Sequence, residues 1–308
     1  MNKNNYKYDF SVIIASYNPD LEKLKKTIIS SYKQKDVSFE IIVADDGSKE
    51  NYRPELEKWA KENKIEMIYN FLPENQGTVK NIISATKISS GRIIIPVAVG
   101  DYFAEETALL QYLKKYDEEQ ADMVFADGRF YLEDKEFTNL KMPYYKSTTK
   151  GKMEKNICLF IDCFPGFSIS FNREVLEYLE AVQDYVKLIE DFPTIYLSIL
   201  NGKKISYIDE KLFWYEFGTG NSTKSHRLDN DMEGFLKYLE ENYADRKIVQ
   251  KTIKRWNINH TKNKILRTIK LLFQFPDAFF KNISRKFKKT KVSKLDSDSL
   301  NKMTKLEG

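Results

Sequence analysis

From residue 9 onward, short β-branched runs alternate with amphipathic stretches, and this alternation limits the chain to few folds. Phe10-Ser11-Val12-Ile13-Ile14-Ala15 reads as a strand, and Asp20 can cap a helix with Leu21, Leu24, Ile28 and Ile29 on one face. A strand at 39–44 precedes a helix that turns Leu56, Trp59 and Ala60 inward. Ile65 to Tyr69 reads as a third strand, followed by a helix around Val79, Ile82 and Ile83. Arg92 to Val99 makes a fourth, with β-branched residues on both faces as in a parallel sheet covered on both sides. Leu109, Leu110 and Leu113 mark the next helix, and Met123 to Ala126 the next strand. The pattern predicts a doubly wound α/β sheet flanked by helices. From about 130 to 170 it turns irregular and aromatic, with Tyr144, Tyr145, Phe160, Phe164 and Phe167. Helices resume at Arg173 to Ala181 and at Asp191 to Leu200, before a short strand at Lys204 to Ile208.

In such sheets ligands sit outside the carboxyl ends of the strands, where the strand order reverses. The polar residues after each strand are Ser16-Tyr17-Asn18, Asp45-Asp46-Gly47-Ser48, Asn75-Gln76-Gly77 and Gly100-Asp101. Neither G-x-G-x-x-G nor G-x-x-x-x-G-K-[ST] occurs, which argues against a dinucleotide oxidoreductase and a P-loop NTPase. Carboxylates at strand ends can still accept hydrogen bonds from a ribose or a base, and one can hold a cation on a diphosphate. The plain alternative for Asp45-Asp46-Gly47-Ser48 is a turn, and for Glu190-Asp191 before Phe192-Pro193 a helix cap. Two cysteines, Cys158 and Cys163, and two histidines, His226 and His260, exclude a disulfide framework and a Cys/His zinc module.

The succession SVIIASYN, EIIVADDGS, ENQGTVKN, VGDYF and IEDFP resembles the family 2 glycosyltransferases of GT-A fold, and GKKISYIDEKLFWY extends the likeness to about residue 225. The resemblance implies a mixed GT-A sheet and an inverting sugar transfer from a nucleotide-sugar to an acceptor hydroxyl. It implies that Ala15, Ser16 and Tyr17 line the nucleotide site and that Asp45 binds the base, with Asp46 supporting the ribose region or holding the loop. Lys80 stands near the donor diphosphate by a looser match. Asp101, beside Gly100, falls in the metal-binding Asp-x-Asp region, and Asp191 of Glu190-Asp191 takes the place of the general base. Members usually carry Leu-Asp-Ser-Asp-Asp before an aromatic pair, whereas here Val97-Ala98-Val99-Gly100-Asp101 precedes Tyr102-Phe103. The Mn²⁺ or Mg²⁺ cofactor that the resemblance implies would then rest on Asp101, the diphosphate and water, with His226 either a second ligand or a surface-loop histidine. The depleted motif keeps open a rival class, a non-catalytic nucleotide-sugar-binding or scaffolding subunit of a glycan assembly complex.

The net charge of +5 hides an asymmetry: Asp245 to Lys294 holds sixteen Lys and Arg against two acids, leaving −9 for the rest. Ile265, Leu266, Ile269, Leu272 and Phe273 recur at helical spacing among Lys262, Lys264, Arg267 and Lys270. That combination suits a helix in an anionic membrane interface, with a homodimer contact or a cap on the catalytic domain as the alternatives. No nucleic-acid motif accompanies the basicity. The expected organisation is a catalytic domain over 1–225, a basic helical extension over 226–295 and a disordered tail over 296–308. With no leader-like or membrane-spanning run, a cytoplasmic protein, peripheral at the inner membrane face, is expected. The acceptor expected is a glycan, lipid-linked or protein-linked hydroxyl. Gln250 to Trp256 spaces its Gln and Arg-Trp too widely for a processive synthase, so transfer is expected to be non-processive.

Overall fold

The computed structural model describes residues 6–138, 150–157, 165–218, 228–286 and 291–306. Its first half follows the predicted alternation: β1 (Tyr8–Ser16), α1 (Leu21–Tyr32), β2 (Phe39–Asp45), α2 (Arg53–Glu62), β3 (Ile68–Phe71), α3 (Thr78–Ile88) and β4 (Gly91–Ala98). Next come β5 (Tyr102–Phe103), α4 (Ala108–Glu119), β6 (Met123–Leu132), β7 (Lys135–Phe137), α5 (Lys150–Ile157), β8 (Ser170–Asn172), α6 (Leu176–Val182), α7 (Asp191–Leu200) and β9 (Ile205–Glu216). The chain then adds α8 (Asp229–Tyr243), α9 (Lys247–Asn259), α10 (Lys264–Gln274), α11 (Pro276–Lys286), β10 (Val292–Lys294) and α12 (Ser297–Thr304). The third strand starts later than its apolar run predicts. Ile65 is buried in the turn after α2, its N–H on the Ala60 carbonyl at 2.9 Å.

Among the described residues the strands form one mixed sheet in the order β10-β7-β6-β8-β4-β1-β2-β3, with β9 pairing β6 and β5 pairing β9. The strands β4, β1, β2 and β3 run parallel, and β8 is antiparallel to both β4 and β6. Alternate residues of β1 serve opposite faces, as the period of two requires. Phe10, Val12 and Ile14 pack with Leu24 and Ile28 of α1 and Leu109 and Tyr112 of α4. Ile13 packs on the other face with Val79, Ile82 and Ile83 of α3 and Leu197 of α7. Full burial of such side chains is worth about 1.5–3 kcal/mol each, so the frame tolerates polar strand ends. Past residue 225, α8 and α9 add Phe235, Leu239 and Val249 to that second cluster.

From β1 the chain steps outward to β2 and β3, then returns to place β4 on the other side of β1. The crevice of this open sheet therefore lies at the carboxyl ends of β1 and β4. The register there aligns Ser16 with Asp45 and Ala15 with Ala98.

Residues 296–306 do not form the disordered tail that their polar composition predicts. Asp296 caps α12 by accepting from the Ser299 N–H at 3.1 Å, and Met303, 1% exposed, enters the α1 side of the core. Just before it, β10 pairs with β7. Arg129 joins the two, donating to Glu136 at 2.9 and 3.0 Å and to Asp296 at 3.2 Å. Two apolar anchors in one helical turn, Leu300 and Met303, outweigh the surrounding polarity.

Candidate active site

Asp45 ends β2 almost fully buried. Its Oδ1 accepts from the Ser48 N–H at 2.8 Å, and its Oδ2 from the Ser48 hydroxyl at 2.5 Å and the Tyr52 hydroxyl at 2.9 Å. A carboxylate has about four acceptor positions, and these bonds use three of them. Tyr52 also meets the Ser16 hydroxyl at 3.0 Å, while Asn18 donates its N–H to Ser48 and accepts from the Lys49 N–H. The Ser16-Tyr17-Asn18 and Asp45-to-Ser48 loops are thus stitched into one rim, with Ala15 half-buried, Ser16 buried and Tyr17 exposed.

Asp46 turns the other way. It accepts from the Asn75 side-chain amide at 2.8 Å and from the Gln76 and Gly77 N–H groups at 2.8 and 2.9 Å, holding the loop ahead of α3. Burial raises its carboxyl above the ordinary range against the pull of those N–H groups. Lys80 pairs with Asp184 at 3.1 Å, and no described contact joins it to the strand-end acids.

Beyond β4, Gly100 adopts φ +101°, a conformation that side chains disfavour, and a Cβ there would lie 2.6 Å from Glu216 Oε2. Tyr131 donates its hydroxyl to the Gly100 carbonyl at 2.6 Å, and Gly100 donates its N–H to Thr27 Oγ1 at 3.1 Å. Asp101 is 4% exposed and accepts from the Glu216 N–H at 3.0 Å. Burial, with the Glu216 charge adding to it, pushes the Asp101 carboxyl well above the usual carboxylate range. A hard cation needs accessible oxygen ligands, and a buried carboxyl already turned onto a backbone N–H is a poor one. Gly100 and Ala98 offer no side-chain donor, and Glu216 is already paired with Lys23. No group of three or more His, Cys, Asp or Glu side chains fit to hold a metal occurs among the described residues. The described residues therefore do not fit the Mn²⁺ or Mg²⁺ that the motif resemblance implies. His226 lies outside the described residues.

Asp191 opens α7, with Pro193 in the first turn, and Glu190 before it makes no side-chain capping hydrogen bond. The loop ahead is fixed from α8: Asp231, itself buried, accepts from the N–H groups of Lys187, Leu188 and Ile189. Gly166 lies under the other side of Asp191, where a Cβ would come 2.1 Å from Asp191 Oδ2. Gly166 begins a short 3₁₀ turn tied to β6 by the Ser168 hydroxyl, which donates to the Ala126 carbonyl at 2.8 Å. The next residue, Phe167, crosses Gly128 of β6 and stacks on Tyr215 at 4.6 Å between centroids, giving an aromatic wall beside the acid pair.

Desolvation and the adjacent Asp191 carboxylate, with Asp231 beyond, push Glu190 up to about 8. At neutral pH Glu190 is thus largely protonated. Glu190 ionises as pH rises through about 8, adding a second negative charge beside the first. A folded value above the unfolded 4.5 means that this group favours the fold fully below that value and loses its contribution as pH rises through 8. In a pH series of initial transfer rates, wild type is expected to show an inflection near 8, and Glu190→Gln to lack it. An inflection that survives the substitution assigns the titration elsewhere.

Sequence reasoning missed Tyr52, Gly166, Glu216, Lys23 and Asp231. The glycine of Pro165-Gly166 carried a turn signal, but nothing local tells that Asp231 reaches a loop more than forty residues away.

A parallel β3-β2-β1-β4 half-sheet with acids at its carboxyl edge, continued by β8, β6 and β9 and an acid pair at the head of α7, defines a GT-A type fold. The model of the glycosyl transferase family 2 matches residues 11–179, more than half of the chain, and the chain belongs to that family. No match is found among curated proteins. Among solved structures, S. aureus TarS 1–349 in complex with UDP-GlcNAc is similar at a TM-score of 0.59 and 17% identity, over 90% of this chain and 80% of that one. The same fragment in complex with UDP gives 0.55 and 17%, over 86% and 75%. A longer S. aureus TarS chain gives 0.56 and 17%, over 82% of this chain, which spans only 44% of that chain.

Proposed function

We propose that the protein is an inverting, non-processive glycosyltransferase that moves a sugar from a nucleoside diphosphate sugar, with a UDP-sugar favoured, to an acceptor hydroxyl. The acceptor class is a bacterial surface glycan, glycolipid or glycoprotein. The observation that carries this reading is the acid pair on the α7 head, where Asp191 stands beside a Glu190 whose carboxyl burial pushes up, in a family 2 chain. Asp191 takes the acceptor proton as the new C–O bond forms. The bond from the anomeric carbon to the diphosphate breaks on the opposite side, and the diphosphate leaves with the electron pair. Asp45, Ser16 and Tyr17 border the nucleoside. The TarS complexes with UDP and UDP-GlcNAc support the choice of donor. Incubating the protein with UDP-, GDP- and dTDP-sugars and membrane or glycan extracts tests this. Nucleotide release that depends on acceptor is expected. Donor binding without transfer or hydrolysis favours the scaffolding rival.

We further propose that α10 and α11 hold the enzyme at an anionic membrane face. Leu271, Phe275 and Ala278 pack inward with Ile258 of α9, yet Ile265 is 73%, Phe273 79% and Phe280 61% exposed. Lys264, Arg267 and Lys270 share α10 with that apolar face. Each Lys or Arg near an anionic surface contributes about 1 kcal/mol, and the exposed apolar face supplies insertion. No helix among the described residues is long and apolar enough to cross a membrane. In liposome flotation, wild type is expected to rise with phosphatidylserine-rich vesicles, and Phe273→Ser/Phe280→Ser to stay below. Equal flotation of both, or a dimer that the double variant breaks, removes the membrane assignment.

A further inference from the structure

Building on the donor-site reading above, we infer that Lys23 supplies the positive charge that holds the donor diphosphate, at the point where the fold would otherwise place a divalent cation. Three observations converge on the crevice between β1 and β4. Position 100 has no side chain, and Glu216 Oε2 lies where its Cβ would project. Asp101, the remaining acid of the motif, is buried and turned onto the Glu216 N–H. Into that space reaches Lys23, from the first turn of α1, with its ammonium on Glu216 Oε1.

The placement is fixed from both sides. The Asp20 carboxylate caps α1 through the Glu22 and Lys23 N–H groups at 3.0 and 3.1 Å, which sets the start of the helix over the end of β1. Thr27, one turn on, accepts from the Gly100 N–H and locks α1 to the end of β4. Glu216 ends β9 with its N–H on Asp101, so its carboxylate orients the ammonium without leaving the crevice. The Lys23 side chain is 39% exposed against 11% for Glu216, so the lysine is the solvent-accessible partner of the pair.

An ammonium has three donors, and Glu216 occupies one, leaving two for diphosphate oxygens. Lysine binds phosphate as a compact point charge. Lys25, two residues on, is drawn instead to Glu22 and Glu55 at 2.8 and 3.3 Å, so the charge aimed at the crevice is that of Lys23. The pair of Lys23 with Glu216 is therefore a preset, exchangeable cation whose partner changes from carboxylate to diphosphate when donor arrives. Glu216 is a positioning residue in this scheme, and no metal ion is required to neutralise the leaving diphosphate.

Calorimetric titration of UDP and of uridine into chelator-treated wild type, Lys23→Gln and Lys23→Arg, each with and without Mn²⁺, tests this. UDP affinity of the wild type is expected to be the same with and without Mn²⁺. Lys23→Gln should weaken UDP by about tenfold or more, leave uridine unchanged and so erase the preference for the diphosphate, while Lys23→Arg restores most of it. A Mn²⁺-dependent gain of more than about tenfold in wild type overturns the inference and leaves the donor site standing. Equal loss of UDP and uridine in Lys23→Gln reduces Lys23 to a structural role and overturns it as well, as does no loss. If wild type binds no UDP, GDP or dTDP, the donor-site reading fails and the inference falls with it.

Discussion

Asp191→Asn is expected to lower turnover by about 10²–10⁴-fold while leaving UDP affinity close to that of wild type. The amide keeps the shape that packs on Gly166 but has no basic lone pair able to take the acceptor proton. Nothing in the rim built by Ser16, Asp45 and Tyr52 touches Asp191 by a described contact, which is why binding and transfer should separate. Glu190 is a poor substitute base, because desolvation, the larger cause of its upward shift, persists when the Asp191 charge is removed. Turnover and donor affinity measured on the same preparation decide the matter. Undiminished turnover removes Asp191 from the chemistry.

Gly166→Ala is the second large effect. A Cβ 2.1 Å from Asp191 Oδ2 is far inside van der Waals contact, so one side must yield. The 3₁₀ turn is anchored by Ser168 on Ala126, and the loop before α7 is held by Asp231, so the strain falls on the Asp191 carboxylate and the hydrogen bond it accepts from the Phe192 N–H. Misplacing a catalytic group by about 1 Å can cost about 100-fold in rate, and over-packing costs about 1–3 kcal/mol of stability. The rate effect should vanish when Asp191→Asn is already present, since both changes act through one carboxylate. A Gly166→Ala protein with wild-type turnover, or a double variant whose losses multiply, contradicts this coupling.

What the sequence makes legible is local in origin. The apolar runs of β1, β2 and β4 and the acids that follow them are contiguous, so strand, turn and rim could be read together. Asp46 illustrates the limit: its neighbours suggest a ligand contact or a turn, and only the packed loop shows it holding Asn75, Gln76 and Gly77. Lys23 reads as one more lysine on a solvated helix face, because its partner Glu216 stands 193 residues away. Glu216 hides inside an aromatic strand run. Residues 296–306 depart from expectation for the opposite reason, since polar composition conceals that Leu300 and Met303 share one helix face. Such long-range pairings follow from topology, which periodicity does not reveal.

We propose that the carboxyl ends of β1, β2 and β4 form the donor site. Hydrogen–deuterium exchange of wild-type protein with and without UDP tests it most directly. Protection is expected at 15–18, 45–52 and 98–103, with α10 and α11 unchanged. Protection confined to the C-terminal helices, or none with UDP, GDP or dTDP at millimolar concentration, contradicts it.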